Sequence, residues 1–256
     1  MNRWQLASGG RPLNRHRLDT WLRSPRGQRL LRLEQEELGR LLPEVFGRHV
    51  LQVGSWGYDG QLLSACQTIH QAVLGTVPDT SAQALTELER LPILSNSVDA
   101  VVLPHTLEFS RFPHHLLREV DRILTDRGHL FILGFNPFGI LRLRERLWLP
   151  YAAFPSGAQL YRVSRLCDWL ELLDCEVTEV RRFGASFPWR GTRADGDRLS
   201  IDALRCVFAE GYLMAARKRV LPMNFVGRVE RAKIRPMIGA AVPSTRNSIR
   251  SIRPRT

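Results

Sequence analysis

LPILSNSVDAVVLPHTLEFSRFPHHLLREVDRILTDRGHLFILGFNP, residues 91–137, decides the fold. Val98, Ala100, Val101, Val102 and Leu103 form a run rich in β-branched residues that Pro104 ends, the pattern of a parallel strand buried on both faces. Leu116, Leu117, Val120, Ile123 and Leu124 fall on one helical face, with Arg118, Glu119, Asp121 and Arg122 mostly on the other. Gly128 is expected to end this helix, and Leu130 to Phe135 to form a second strand closed by Asn136-Pro137. A strand-helix-strand unit of this kind is a right-handed crossover in a parallel sheet, and such sheets take ligands beyond the carboxyl ends of their strands. The site is therefore expected at Pro104 to Glu108 and Gly134 to Pro137.

Upstream, Ser24 and Pro25 provide an N-cap and a first helical residue. Leu30, Leu31, Leu38, Leu41 and Leu42 follow at helical spacing, and Pro43 is expected to end or kink the helix. Residues 1–17 read as an arm and Leu18 to Leu22 as a short helix. His49 to Val53 is a short strand running into Gly54-Ser55-Trp56-Gly57-Tyr58-Asp59-Gly60. A helix over Gln61 to Gln71 and a strand over Ala72 to Val77 are expected next. Thirteen residues then separate Val77 from Leu91, room only for a short edge strand within Ala82 to Leu88. Downstream, Gly139 to Pro155 is an amphipathic basic stretch that could cover the site as a lid. Ser164 to Asp174 reads as a helix capped by Ser164. Glu176 to Arg182 and Glu210 to Arg217 read as strands flanking a polar loop between Gly191 and Ser200.

Composition bounds the rest. With 44% hydrophobic and 24% charged residues the chain is ordinary for a globular protein. No run approaches the ~18 apolar residues of a membrane span, and the polar start lacks a secretory signal's apolar core; the expected compartment is the cytoplasm. Cys66, Cys167, Cys175 and Cys206 have no C-x-x-C spacing, so they read as reduced and no metal site is expected. The net charge of +12 is local: from Arg217 onward eleven cations face one anion, Glu230, leaving 26 cations and 24 anions before it. The body thus carries +2 and the tail +10, a balance suited to nucleic acid or another acidic surface.

The glycine spacing after the first strand excludes several classes. G-x-x-G-x-x-G at 54–60 departs from the G-x-G-x-x-G dinucleotide fingerprint. Val53, two residues before Ser55, removes the hydrolase elbow, and no Gly-Lys-Ser/Thr ending makes a phosphate loop.

VLQVGSWG at 50–57, LERLPILSNSVDAVVLPHTLEF at 88–109 and LLREVDRILTDRGHLFILGFNP at 116–137 resemble the class I S-adenosylmethionine-dependent methyltransferases with a type-11 methyltransferase domain. The FNP ending, Phe187-Pro188-Trp189 and the basic tail are similar to the YafS-like group. The resemblance covers roughly Arg48 to Lys218 and implies a Rossmann-like α/β fold: a seven-stranded sheet, six strands parallel and one antiparallel near the C-terminus, with helices on both faces. It also implies S-adenosyl-L-methionine as cofactor.

Carried onto this sequence, the first family motif falls on Gln52, Gly54, Ser55, Trp56 and Gly57. Gln52 stands where the family has an acidic residue, and Trp56 where it has the middle glycine. Val77 occupies the position of the ribose-binding acid, with Asp79 two residues on as its substitute. Glu87 matches the acid that meets the adenine amine and Leu88 the residue whose backbone faces adenine. Pro104 and His105 match the wall after the fourth strand, with His105 the candidate base. The expected organisation is an N-terminal helical extension (1–47), a methyltransferase-like domain (48–219) and a basic tail (220–256). The alternative reading is a catalytically degenerate protein of the same fold, its pocket blocked by Trp56, that binds nucleic acid or a partner through the tail.

Overall fold

The computed structural model describes residues 21–58, 60–76, 82–139, 158–184 and 209–219. All of these lie in one compact unit, Met1–Val220; a second unit, Leu221–Thr256, falls outside the described residues. The arm at 1–17, Val77, Asp79, most of the basic stretch after Gly139, Phe187 to Trp189, the 191–200 loop and Cys206 also fall outside them.

Helix α1 (Pro25–Leu41) begins as expected, the Ser24 side chain accepting from the Gly27 amide at 3.2 Å with Pro25 in the first turn. A short 3-10 turn, Leu42–Glu44, carries the chain past Pro43. The strands are β1 (His49–Val53), β2 (His70–Gly75), β3 (Ala84–Leu85), β4 (Val98–Pro104), β5 (Leu124–Phe135), β6 (Cys175–Phe183) and β7 (Gly211–Lys218). One helical turn, α2 (Thr106–Phe109), follows β4, and the helices α3 (Pro113–Ile123) and α4 (Val163–Glu171) precede β5 and β6.

The seven strands are ordered β3-β2-β1-β4-β5-β7-β6. Pairings from β3 through β5 are parallel, while β7 runs antiparallel to both of its neighbours. The expected sheet, six strands parallel and one reversed near the C-terminus, is therefore the one formed. Its central strands are apolar on both faces, as a doubly covered sheet requires. Val50, Val102, Phe131 and Leu213 face α1, whereas Leu51, Leu103, Ile132 and Met214 face α3 and α4. Helix α1 is thus part of the core through Leu30, Leu31 and Leu38.

Three local expectations are corrected. Gly128 does not end a helix: α3 stops at Ile123, where Leu124 turns extended, and β5 runs continuously from there. The register shifts between Val98 and Ala100, and Arg127 takes a left-handed φ of 66° just before Gly128, so this segment forms an irregularity within the strand. The helix expected over Gln61 to Gln71 is a single 3-10 turn, Gln61–Leu63, entered through a left-handed Gly60. Leu62 and Leu63 are buried in the same cluster as α1, and β2 begins two residues early because His70 pairs with His49. Finally, Arg162 rather than Ser164 occupies the α4 N-cap, without a side-chain bond.

The family wording at 91–122 has mechanical roles. Asp99 Oδ2 accepts the amides of Arg48 and His49 at 2.7 and 3.0 Å, tying the start of β1 to β4. Glu119 accepts the Leu91 amide at 3.0 Å, while Arg122 donates to the carbonyls of Leu91 and Ile93 at 3.0 and 2.9 Å. No helix among the described residues is long and apolar enough to cross a membrane. Leu116 in α3 is fully buried, so Leu116→Ala should lower stability by about 2–5 kcal/mol. Urea denaturation measures this, and a loss below about 1 kcal/mol would contradict its place in the core.

Candidate functional site

The chain leaves β1 toward β2 and leaves β4 toward β5, in opposite directions from adjacent strands. This is the topological switch point of the sheet, the position at which open α/β sheets form their ligand-binding crevice. One lip is Gly54 to Gly57 after β1, and the other is Pro104 to Thr106 at the end of β4.

The β1 lip is shaped by close approach. Gly54 has a φ of 105°, and a Cβ there would lie 2.3 Å from Thr106 Oγ1. At Gly57, with a φ of 81°, a Cβ would lie 3.2 Å from Leu31 Cδ1 of α1. Both positions favour glycine by conformation, and Gly54 needs it for space as well. Gln52 secures the turn from inside, its Nε2 donating to the carbonyls of Gly54 (3.0 Å) and Trp56 (3.2 Å). A carboxylate could not do this, because it has no proton to donate. Gln52 Oε1 and Ser55 Oγ are buried and have no hydrogen-bond partner among the described residues.

On the β4 lip, His105 has a φ of 54°, a conformation rare for a non-glycine residue and often found where a site demands it. Thr106 Oγ1 donates across the crevice floor to the Val53 carbonyl. His105 is buried between two carboxylates: Nε2 lies 2.7 Å from Glu34 Oε1 and Nδ1 2.9 Å from Glu108 Oε2. The other oxygens are also engaged, Glu34 Oε2 by Trp56 Nε1 at 2.7 Å and Glu108 Oε1 by the Phe135 amide at 2.5 Å. Burial alone would pull the imidazole down, but the charges of Glu34 and Glu108 and their hydrogen bonds prevail and raise it to about 9. Burial likewise pushes the Glu108 carboxyl up, opposed by His105. At neutral pH His105 is an imidazolium with both nitrogens donating. It has no lone pair with which to take a proton, so the base role expected of His105 does not fit this arrangement.

Trp56 also departs from expectation. Its ring faces inward, 4.2 Å from the His105 ring and 5.9 Å from that of Phe135, with Trp21 at 6.2 Å. Only its backbone remains for a ligand at the turn. Glu87 is exposed in a tight turn closed by the Arg90 amide on its carbonyl, and Leu88 is partly buried against the core cluster on the α3 and α4 side of the sheet. Glu119 is a structural ion-pair residue, and His114 and His115 are exposed. Among the described residues no group of three or more His, Cys, Asp or Glu could hold a metal ion.

Glu34 is the site residue that sequence reasoning missed. Its signal was present: it falls within the Leu30, Leu31, Leu38 and Leu41 stripe of α1, a carboxylate at a buried helical position.

A family model described as Methyltransferase domain matches residues 63–132, beginning beyond the glycine turn. Over 228 residues the chain is 32% identical to the protein YafS of Escherichia coli K12, covering 89% of this chain and 92% of that one. The chain belongs to the YafS family. Among solved structures, this YafS-family chain is similar to the partner of the Trm112 methyltransferase activator from Haloferax volcanii. That likeness has a TM-score of 0.55 and 14% identity, over 81% of this chain and 98% of that one. A SAM-dependent methyltransferase from Archaeoglobus fulgidus matches with a TM-score of 0.55 at 17% identity, over 72% of this chain and 92% of that one. At such identities the likeness establishes the fold, which is that of the SAM-dependent methyltransferases.

The His105 cluster carries a pH signature. Because the folded His105 value is about 9 against 6.5 unfolded, its stabilisation is full below about 6.5 and is lost as pH rises through about 9. The raised Glu108 carboxyl acts in the same direction, starting from the ordinary carboxylate range. The urea midpoint of the YafS-family protein should therefore fall between pH 6.5 and 9, and His105→Gln should flatten that slope. An unchanged slope in the variant would exclude His105 as its source.

Proposed function

We propose that the protein is an S-adenosylmethionine-dependent methyltransferase with its cofactor at the switch-point crevice. The observation that carries this reading is the glycine turn itself: left-handed glycines at the switch point of a methyltransferase-type sheet, with two buried polar atoms, Gln52 Oε1 and Ser55 Oγ, that find no partner among the described residues. Buried oxygens without partners are costly and are normally satisfied by protein, water or ligand. Gln52 Oε1 suits an ammonium donor, and the Ser55 hydroxyl can either donate or accept, so the turn fits the amino-acid end of such a cofactor.

By the family resemblance, the backbone of Gly54 to Gly57 holds that end. Asp79 takes the ribose hydroxyls, Glu87 and the Leu88 backbone meet the adenine, and Pro104 and His105 form the far wall. A bound sulfonium supplies a methyl group already activated for in-line transfer. The protein's contribution is then orientation of the acceptor and exclusion of water rather than strong acid-base chemistry. A clamped His105 imidazolium is compatible with this, since it fixes a wall and moves no proton. The free thiols of Cys66, Cys167 and Cys175 accord with a cytoplasmic setting.

Calorimetric titration with S-adenosylmethionine and with its demethylated product should show saturable one-to-one binding in the micromolar range. Absence of binding by either at millimolar ligand would overturn the cofactor reading.

The basic tail is proposed to bring the domain to an acidic polymer, nucleic acid being the best match for eleven cations from Arg217 onward. Nucleic-acid binding, measured by fluorescence anisotropy, should weaken steeply with salt and disappear on deletion of residues 220–256. A truncated protein that binds as well as the full chain would refute this.

A further inference from the structure

Helix α1 touches the β1 lip at two points one helical turn apart. Leu31 fills the space a Cβ on Gly57 would need, and Glu34 accepts the Trp56 indole. The second oxygen of the same carboxylate bonds His105 on the β4 lip. One side chain from outside the sheet therefore holds both lips of the crevice. The two hydrogen bonds are 2.7 Å each, and the carboxylate is fully buried.

The consequence reaches the turn backbone. The Trp56 carbonyl is one of the two acceptors that Gln52 Nε2 draws together, so fixing the indole also fixes that part of the turn. On the other side, His105 sits in a left-handed conformation that the surrounding contacts must hold, and Glu34 and Glu108 grip its two nitrogens from opposite elements. The carboxylate accepts from both donors at once, so Glu34→Ala removes both arms of the contact.

We propose that Glu34 is a positioning residue that staples the two lips of the crevice at the spacing the cofactor requires, making α1 a working part of the site. The effect on affinity rests on the cofactor reading above; the effect on the lips does not. The groups facing His105 are Glu34 from α1 and Glu108 from α2, with the Trp56 and Phe135 rings tilted against it.

The test compares the full-length protein with Glu34→Ala by amide hydrogen exchange without ligand and by calorimetry with the demethylated cofactor product. Exchange at 54–57 and 105–108 should accelerate at least tenfold, while amides at 130–133 in β5 stay unchanged. Affinity should fall at least tenfold. Uniform acceleration across β5 and both lips would mark Glu34 as a general stability residue and overturn the staple, as would unchanged exchange. Lip-specific exchange with no binding by the wild-type protein would retain the staple and remove the cofactor reading. If Glu34→Ala does not fold, Trp56→Phe releases one arm alone. Acceleration should then be confined to 54–57, and its absence there would overturn the proposal.

Discussion

Three ionisable side chains meet in the interior where the central strands end, and buried charge is tolerated only when each group is paired and hydrogen-bonded. Glu34, His105 and Glu108 meet that condition together, with the Trp56 indole and the Phe135 amide occupying the remaining oxygens. Their contacts come from α1, the glycine turn, the end of β4, α2 and the end of β5. Removing His105 leaves two carboxylates without their cation, and removing either carboxylate leaves a buried donor without its acceptor, so these five places are held as one unit. The apolar core brings the layers together without fixing how the loops at the carboxyl ends lie. The ion cluster supplies that direction.

The residues that carry the family likeness serve mainly as fastenings. Asp99 binds the start of β1 to β4, and Glu119 with Arg122 fixes the loop that enters β4. All of these lie away from the carboxyl-end crevice. The wording that identifies the fold is therefore nearly silent about chemistry. The residues that bear on chemistry, Gln52 and Trp56 above all, are those that depart from the family pattern. Their departures are correlated in space: Gln52 holds the Trp56 carbonyl while Trp56 buries its ring against His105.

This changes how the glycine turn is understood. As sequence, Trp56 in place of a glycine suggested a ring lying across the cofactor path. In the structure the ring turns under α1, and the truncated helix after the turn leaves Leu62 and Leu63 to pack on that same helix. Helix α1 thus joins the core on this face, which is why the N-terminal segment is part of the domain's interior.

Local pattern was enough for the strands, for α1 and for the helix before β5, because each depends on side-chain period and on capping residues close in sequence. It sufficed also for the reversed strand near the C-terminus, through the family likeness. It misplaced Gly128 and the segment after Gly60, where strand register and contact with α1 outweighed local propensity. The carboxyl ends of the strands were expected to carry the site from the strand-helix-strand unit, whereas the strand order that sets the switch point was visible only in the fold. What the crevice is made of did not follow from sequence pattern. Glu34 and His105 are 71 residues apart, and neither residue's local neighbourhood encodes the other. Only folding brings one carboxylate to two lips, since the pairing of buried charges is decided by three-dimensional proximity and by the absence of water to pair them otherwise.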